Sequence, residues 1–236
     1  MIRIRIADLT VGIDNRYDYI VDLARDYLTE GDADFTVSVT DAELDEERAR
    51  SEYDFSSGYL ESIVAYRKIA EELPRYDALV FHGAVLNLDG EAYAFTAPSG
   101  TGKTTHTRLW LREFGSRVHY LNGDKPIIRF KDGTPYAYGT PWRGKEGYGV
   151  NESAPLRAIA FLGRGEENTA CEIPSNEIAA RLITQVYVSR KNRMQAVLTM
   201  RLADRLTRAV RLVDLRCNME PEAAHVSLRA MRGNTD

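Results

Sequence analysis

The sequence predicts an α/β protein built on a mixed, largely antiparallel sheet. Three observations carry that reading. Two hairpin signals, Asp89-Gly90 and Asp132-Gly133, each lie between strand-like runs. A glycine-rich loop follows the strand at 91–96 and leads into a helix at 104–114. Further helices cluster in the C-terminal half. Because the strand feeding the glycine-rich loop is the second arm of a hairpin, its partner there runs antiparallel. A doubly wound fold would instead join parallel strands through helices.

Composition bounds the class of molecule. With 236 residues the chain has room for one large or two small domains, and 44% hydrophobic with 28% charged residues suits a soluble globular protein. A net charge of −4 argues against nucleic-acid binding through bulk electrostatics. Cys171 and Cys217 form no CxxC pair and the histidines do not cluster, so neither a disulfide framework nor a structural zinc is expected. Residues 2–6 alternate Ile and Arg like a strand rather than a cleavable signal, and no apolar run approaches membrane-spanning length. The expectation is a cytoplasmic protein with no membrane partner.

Taken in order, residues 1–77 read as an N-terminal accessory subdomain and 78–236 as the core, the two forming one compact unit. The accessory part holds strands at 2–6 and 35–39, a helix at 17–28, and a charge-dense stretch at 41–50 that is a solvated helical face or loop. Tyr59, Ile63, Tyr66, Ala70 and Leu73 recur at spacings of four and three, a helical stripe that Pro74 ends. Strands follow at 78–82, 84–88 and 91–96, then the helix at 104–114 and a second hairpin from 126–131 and 134–138. A buried strand covers 156–162. Pro174 opens a helix through Ile178, Leu182 and Val186, another helix spans 193–206, and 210–216 is the last strand.

The glycine-rich loop carries the chemistry. Ala97-Pro98-Ser99-Gly100-Thr101-Gly102-Lys103-Thr104-Thr105 follows the phosphate-loop pattern G-x-x-x-x-G-K-[ST], except that Ala97 stands at the first glycine. Backbone N–H groups from Ser99 to Lys103 can turn inward on phosphate oxygens, with Gly100 and Gly102 allowing the required dihedrals. Lys103 would meet the β- and γ-phosphates of ATP, and the Thr104 hydroxyl can ligate Mg²⁺. The helix N-terminus behind the loop adds its partial positive charge.

Other residues join this loop by position. Asp124 follows a loop–helix–strand unit, where nucleotide enzymes place a carboxylate for Mg²⁺ or for the attacking group. Lys125 either neutralises transferred phosphoryl charge or is solvated. His82, before Gly83 at a strand end, is either structural or a partner of Asp124 in proton transfer from a hydroxyl. The run 139–147 gathers glycines, Arg143, Lys145 and Trp142, which suits a wall contacting phosphate or acceptor, with either cation as a charge clamp and Trp142 as packing. His106, His119 and His225 read as structural or exposed.

Assembled, these segments resemble the catalytic domain of the HPr kinase/phosphorylase family, within the wider phosphoenolpyruvate carboxykinase-like nucleotide fold. The resemblance covers about residues 78–216 and rests on Phe81-His82-Gly83-Ala84, the loop from Ala97 to His106, Asn122-Gly123-Asp124-Lys125-Pro126 and the stretch from Gly139 to Lys145. It implies an ATP- and Mg²⁺-dependent phosphotransferase. Lys103 and the loop amides of Ser99, Gly100, Thr101, Gly102, Thr104 and Thr105 would bind phosphates. Thr104 and Asp124 would hold the metal, with Asp124 as the alternative base and His82 beside it.

Two departures redirect the acceptor. Gly123 stands where HPr kinases proper carry a second aspartate, and no C-terminal HPr-gripping loop is matched. Relatives of this looser type are similar to enzymes that phosphorylate serine, free or in a peptide or small protein, and relatives often form homo-oligomers. The alternatives are a non-catalytic nucleotide-sensing module and a kinase or phosphorylase acting on HPr.

Overall fold

The computed structural model describes residues 1–233, so the last three positions of the expected 78–236 unit lie outside the described residues. A small sheet opens the chain. β1 (Ile2–Ile6) pairs antiparallel with β2 (Leu9–Asp14), and β3 (Phe35–Ser38) lies parallel to β2. The helix expected over 17–28 is instead α1 (Tyr19–Leu23) and one 3₁₀ turn, Arg25–Tyr27. Leu28 bridges Ile4, which draws the chain back into the sheet and overrides helix propensity. The charged run 41–50 does form helix α2 (Asp41–Arg50). Its start is fixed by a capping box in which the Thr40 hydroxyl accepts from the Glu43 amide and Glu43 accepts from the Thr40 amide, a device worth about 1 kcal/mol.

α3 (Ser57–Glu72) forms, but its buried face is rotated from the expected stripe. Tyr66 and Ala70 are buried, Tyr59 and Ile63 are only half-buried, and Leu60, Val64 and Ile69 face the core instead. Pro74 falls in the 3₁₀ turn that follows. Leu60, Val64 and Ile69 of α3, with Leu73 of that turn, share one apolar cluster with Ile4, Val11 and Ile20 of the small-sheet layer and with Ile127, Tyr138 and Trp142 from beyond it.

The main sheet is mixed and mostly antiparallel. Its strands are β4 (Ala78–Val80), β5 (Ala84–Leu88), β6 (Glu91–Thr96), β7 (Val118–Asn122), β8 (Ile127–Lys131), β9 (Thr134–Tyr138), β10 (Ser153–Arg164), β11 (Thr169–Glu172) and β12 (Arg211–Cys217). The order is β4-β8-β9-β10-β6-β5-β7, with β12 also on β10 and β11 on β12. Both predicted hairpins form, with Asp89 and Asp132 at positive φ before their glycines. β10 is long enough to serve three partners, pairing antiparallel with β9 through Pro155 and then parallel with β6 and β12.

Helices cover both faces. α4 (Lys103–Phe114) and α7 (Glu222–Arg232) enclose Tyr93, Phe95, Trp110 and Met231 on one side. α5 (Ser175–Ile183) and α6 (Arg193–Ala209) enclose Ile159, Leu182, Leu202 and Leu206 on the other. α5 ends before Val186, where the sequence pattern would carry it on. The Gln185 carbonyl instead accepts from the His82 amide, and Val186 bridges Phe81. Helix continuation is given up for pairing with the chain that leads into β5. β2, β11 and α7 have no counterpart in the sequence reading; α7 buries the small residues Ala223, Ala224 and Ser227, which leave little periodic signal. Among the described residues, no helix is long and apolar enough to cross a membrane.

α4 and α7 are pinned by a polar contact inside the apolar layer. The Trp110 indole donates to the Ser227 hydroxyl at 2.8 Å, and His106 Nε2 lies 3.1 Å from the same oxygen. His106 is 3% exposed and its Nδ1 has no partner, and burial pushes its imidazole from 6.5 down to about 4. The folded state therefore binds the proton less readily than the unfolded chain, so this stability is complete above pH 6.5 and is lost as pH falls toward 4. At 1.36 kcal/mol per pH unit, wild type should lose about 2 kcal/mol more than His106→Gln between pH 7 and pH 5 in urea unfolding. Equal losses in the two proteins would show that His106 does not govern this limb.

Candidate active site

Strand direction sets which residues can meet. β5 is antiparallel to both β6 and β7, so β6 and β7 end at the same edge of the sheet, where β5 begins. The glycine-rich segment leaves β6 at that edge, Asp124 follows β7, and His82 precedes β5. β10 and β12, parallel to β6, also finish there.

The loop from Ala97 to Gly102 carries Gly100 at φ 78° and Gly102 at φ 118°, a region L side chains rarely adopt. α4 starts at Lys103, and the Thr101 amide closes a turn onto the Pro98 carbonyl. Ala97 is buried against the α4–α7 side of the core and is not at positive φ, so a methyl group is accommodated at the usual glycine position. Pro98, Ser99, Gly100 and Thr105 are exposed, while Thr101, Gly102, Lys103 and Thr104 are half-buried. Burial pushes the Lys103 ammonium down and Lys125 adds to that; the Asp124 carboxylate pulls it back up. Lys103 and Asp124 thus share one electrostatic environment.

Asp124 is held by its surroundings more than by its own reach. The Lys125 ammonium donates to Oδ2 at 2.6 Å, and His82 Nε2 lies 3.5 Å from Oδ1. Burial raises the Asp124 carboxyl, but His82 and Lys125 together outweigh it and hold the group well below the usual carboxylate range. It is therefore ionised throughout the neutral range. His82 is positioned by its backbone: its amide donates to Gln185, its carbonyl accepts from Thr96, and the next amide, Gly83, donates to the Asp124 carbonyl at 2.9 Å.

The residue that aims this turn is Asn122, which sequence reasoning did not single out. It is fully buried, and its Oδ1 accepts from both the Asp124 and Lys125 amides at 2.8 Å. Its Nδ2 donates to the carbonyl and hydroxyl of Thr140, whose hydroxyl donates in turn to the Lys125 carbonyl. Every polar atom of the side chain is used. Asn-Gly was readable as a turn, but the partners at Thr140 come from eighteen residues away.

The stretch 139–150 lies over the same turn. A Cβ at Gly144, itself at φ 74°, would fall 2.8 Å from that of Asp124, so only glycine allows this approach. Trp142 is packing: it stacks on Tyr66 at 4.0 Å, and its indole donates to the Ser62 carbonyl. Arg143 turns away, donating to Asp26 at 3.0 Å and lying over the Tyr27 ring. Lys145 is exposed and makes no ion pair among the described residues.

On the other flank of the loop is a cleft of about 350 Å³ lined by Pro98, Thr101, Phe161, Arg164, Arg181 and Arg216, among others. Arg164 donates to the Gly100 carbonyl at 2.7 Å and to the Thr101 carbonyl at 3.1 Å, which occupies the loop's outward acceptors. Nothing local in the sequence marks Arg164 for this; its signal is only a cation closing a buried strand.

Among the described residues, no three His, Cys, Asp or Glu side chains converge as a metal site. Hard oxygen donors at the sheet edge include the Thr104 hydroxyl and the Asp124 carboxylate. That donor set fits Mg²⁺, which takes one or two protein oxygens and completes its shell with water and phosphates.

No family model and no curated protein matches the chain. Among solved structures, the Hpr(Ser) kinase/phosphatase from Coxiella burnetii is a match at 10% identity and a TM-score of 0.34, over 65% of this chain and 94% of that one. That is a distant likeness and carries no functional weight. The family expectation continues to rest on the sequence segments named above.

Asn122→Ala should strand the Asp124 and Lys125 amides, a cost of about 2–6 kcal/mol in urea unfolding at roughly 1–3 kcal/mol per buried unsatisfied group. A loss below about 1 kcal/mol would mean that water replaces the side chain and that Asn122 does not hold the turn.

Proposed function

We propose that the protein is an ATP- and Mg²⁺-dependent phosphotransferase that moves the γ-phosphoryl group to a hydroxyl, with serine as the acceptor side chain. The observation that carries this reading is that Lys103, opening α4 behind two left-handed glycines, and Asp124, following the parallel strand β7, stand at one sheet edge where the carboxylate supports the charge on the ammonium. A glycine-rich turn that merely began a helix would need no ionised carboxylate facing its lysine.

In this reading the amides of Ser99, Gly100, Thr101, Gly102, Lys103, Thr104 and Thr105 bind the phosphates, and Lys103 balances charge at the β,γ-bridge. Thr104 and Asp124 hold Mg²⁺, which would neutralise phosphate charge when bound. The acceptor oxygen forms a bond to the γ-phosphorus while the bond from that phosphorus to the bridging oxygen breaks, releasing ADP. The hydroxyl proton passes to Asp124, with His82 at 3.5 Å to take it on. A loose transition state makes proton removal late, so a carboxylate of low basicity suffices to orient the nucleophile. Lys145 is the free cation on the acceptor side; Arg143 could clamp phosphate only by leaving Asp26. The arginine-lined cleft beyond β6 offers room for the remainder of the nucleotide, and residues 1–77 shape the acceptor side as an accessory subdomain.

Gly123, where a second carboxylate would stand, favours one alternative: a module that senses ATP without transferring phosphate. Incubation with γ-labelled ATP and serine acceptors separates the two, because label on an acceptor excludes the sensor.

Lys103→Ala should abolish transfer while leaving the circular dichroism and melting temperature unchanged; wild-type turnover in that variant would refute the assignment. Asp124→Asn should lower kcat by roughly 10²–10⁴-fold with nucleotide binding still measurable by calorimetry. An unchanged rate would reduce Asp124 to a turn residue.

A further inference from the structure

Two segments of the N-terminal layer repeat one alternation of aromatic and acidic residues: Tyr17-Asp18-Tyr19 and Glu52-Tyr53-Asp54-Phe55. Far apart in the chain, they meet on one surface through Tyr59. Phe55 packs on Tyr59 with 4.6 Å between ring centroids, Tyr59 meets Tyr19 edge-on at 5.9 Å, and Tyr53 leans on Phe55 at 5.9 Å. These rings are not core plugs, since Tyr17, Tyr19, Tyr53 and Phe55 are all exposed, Tyr53 by 71%.

The backbone beneath them is fixed from inside. Glu61 is fully buried, and its two carboxylate oxygens accept from the amides of Arg16 at 2.7 Å and Tyr17 at 3.2 Å. Burying a carboxylate is costly, and here it is used to hold a surface segment in place. The charge on that surface is weighted to the acidic side. Asp18, Glu52 and Asp54 are exposed and form no ion pair among the described residues; of the nearby cations, Arg16 is taken by Asp41 and Arg48 donates to the Ser57 hydroxyl. Residues 1–77 hold 19 acidic and 9 basic side chains, against 16 and 22 in the rest of the chain.

The patch adjoins the candidate active site. One turn on from Tyr59, the Ser62 carbonyl accepts from Trp142, and the Tyr66 hydroxyl donates to the Lys125 carbonyl at 2.7 Å. Tyr59 and Tyr66 are separated by about 10 Å along the helix axis, a span that three or four extended residues cover.

We infer that this patch docks a cationic segment of a polypeptide acceptor, with lysine or arginine side chains over the rings and their charges against Asp18, Glu52 and Asp54. The hydroxyl residue of the same polypeptide then reaches Asp124. Interleaved ring faces and carboxylates attract cations by both routes and repel acidic segments. A free amino acid is too short to touch both places, so the acceptor class is a peptide or protein. The term acceptor rests on the phosphotransferase reading; the docking itself needs no turnover.

The test uses two short labelled peptides with one serine each, one flanked by lysine and arginine, the other by glutamate at the same positions. Anisotropy is read on the full-length protein and on its Lys103→Ala variant. The basic peptide should bind both proteins alike, about tenfold tighter than the acidic one, and weaken with added salt. Asp18→Lys with Asp54→Lys should reverse the preference, and Tyr53→Ser should weaken basic-peptide binding about tenfold with circular dichroism unchanged. Equal binding of the two peptides, or a preference that the charge reversal leaves intact, overturns the docking surface. With γ-labelled ATP, tight binding without label transfer leaves the docking standing and removes the phosphotransferase reading. Transfer to both peptides and to free serine with equal kcat/KM removes the docking and leaves the phosphotransferase.

Discussion

One antiparallel strand between two parallel ones is the constraint on which the candidate site depends. β5 runs against both β6 and β7, so the strand that feeds the glycine-rich loop and the strand that carries Asp124 stop at the same edge. The tight turn at Asp89-Gly90 sets β5 against β6, and the crossover through α4 returns the chain so that β7 runs parallel to β6 on the far side of β5. Reversing β7 would put Asp124 and Lys103 at opposite ends of the sheet. The same geometry explains why His82, two residues ahead of β5, lies beside a carboxylate that follows β7.

At that edge the balance between burial and charge decides protonation. Desolvation alone would raise the Asp124 carboxyl and lower the Lys103 ammonium, driving both toward neutrality. His82 and Lys125 reverse the outcome for Asp124, and Asp124 in turn supports the charge on Lys103. The cluster holds more positive than negative groups around one carboxylate, an arrangement that is strained alone and relieved by an anion. A polyphosphate entering the loop would supply the missing negative charge, and Lys125 could then exchange Asp124 for a phosphate oxygen without leaving its place.

The sequence was legible where chemistry is local. The helix after the glycine-rich loop, both hairpin turns and the extent of α3 each depend on neighbours a few residues away, and each formed within a residue or two of expectation, whereas which face of α3 is buried was set by the layers packed on it. What was not legible depends on distant partners. Leu28 leaves the helix pattern because Ile4 pairs with it, and α5 stops short because Gln185 and Val186 pair with the chain ahead of β5. Asn122 and Arg164 show the same limit in the site itself. Their residue types are ordinary for a turn and a strand end. Only the fold reveals that one organises the Asp124 turn and the other holds the carbonyls of the loop.

The two flanks of the site are supported independently. On the donor flank, Arg164 from β10 fixes the loop backbone. On the acceptor flank, the N-terminal layer supplies the supports: the Tyr66 hydroxyl donates to the Lys125 carbonyl, and the Tyr27 hydroxyl donates to the Val150 carbonyl. Burial raises both phenols, Tyr27 to about 12, so each remains a donor across the neutral range. Neither tyrosine touches the glycine-rich loop, and Arg164 touches neither tyrosine's partner. A change in the N-terminal layer can therefore reshape how a second substrate meets Asp124 while the loop keeps its conformation. Under the phosphotransferase reading, that separation would let one glycine-rich edge be combined with different acceptor surfaces.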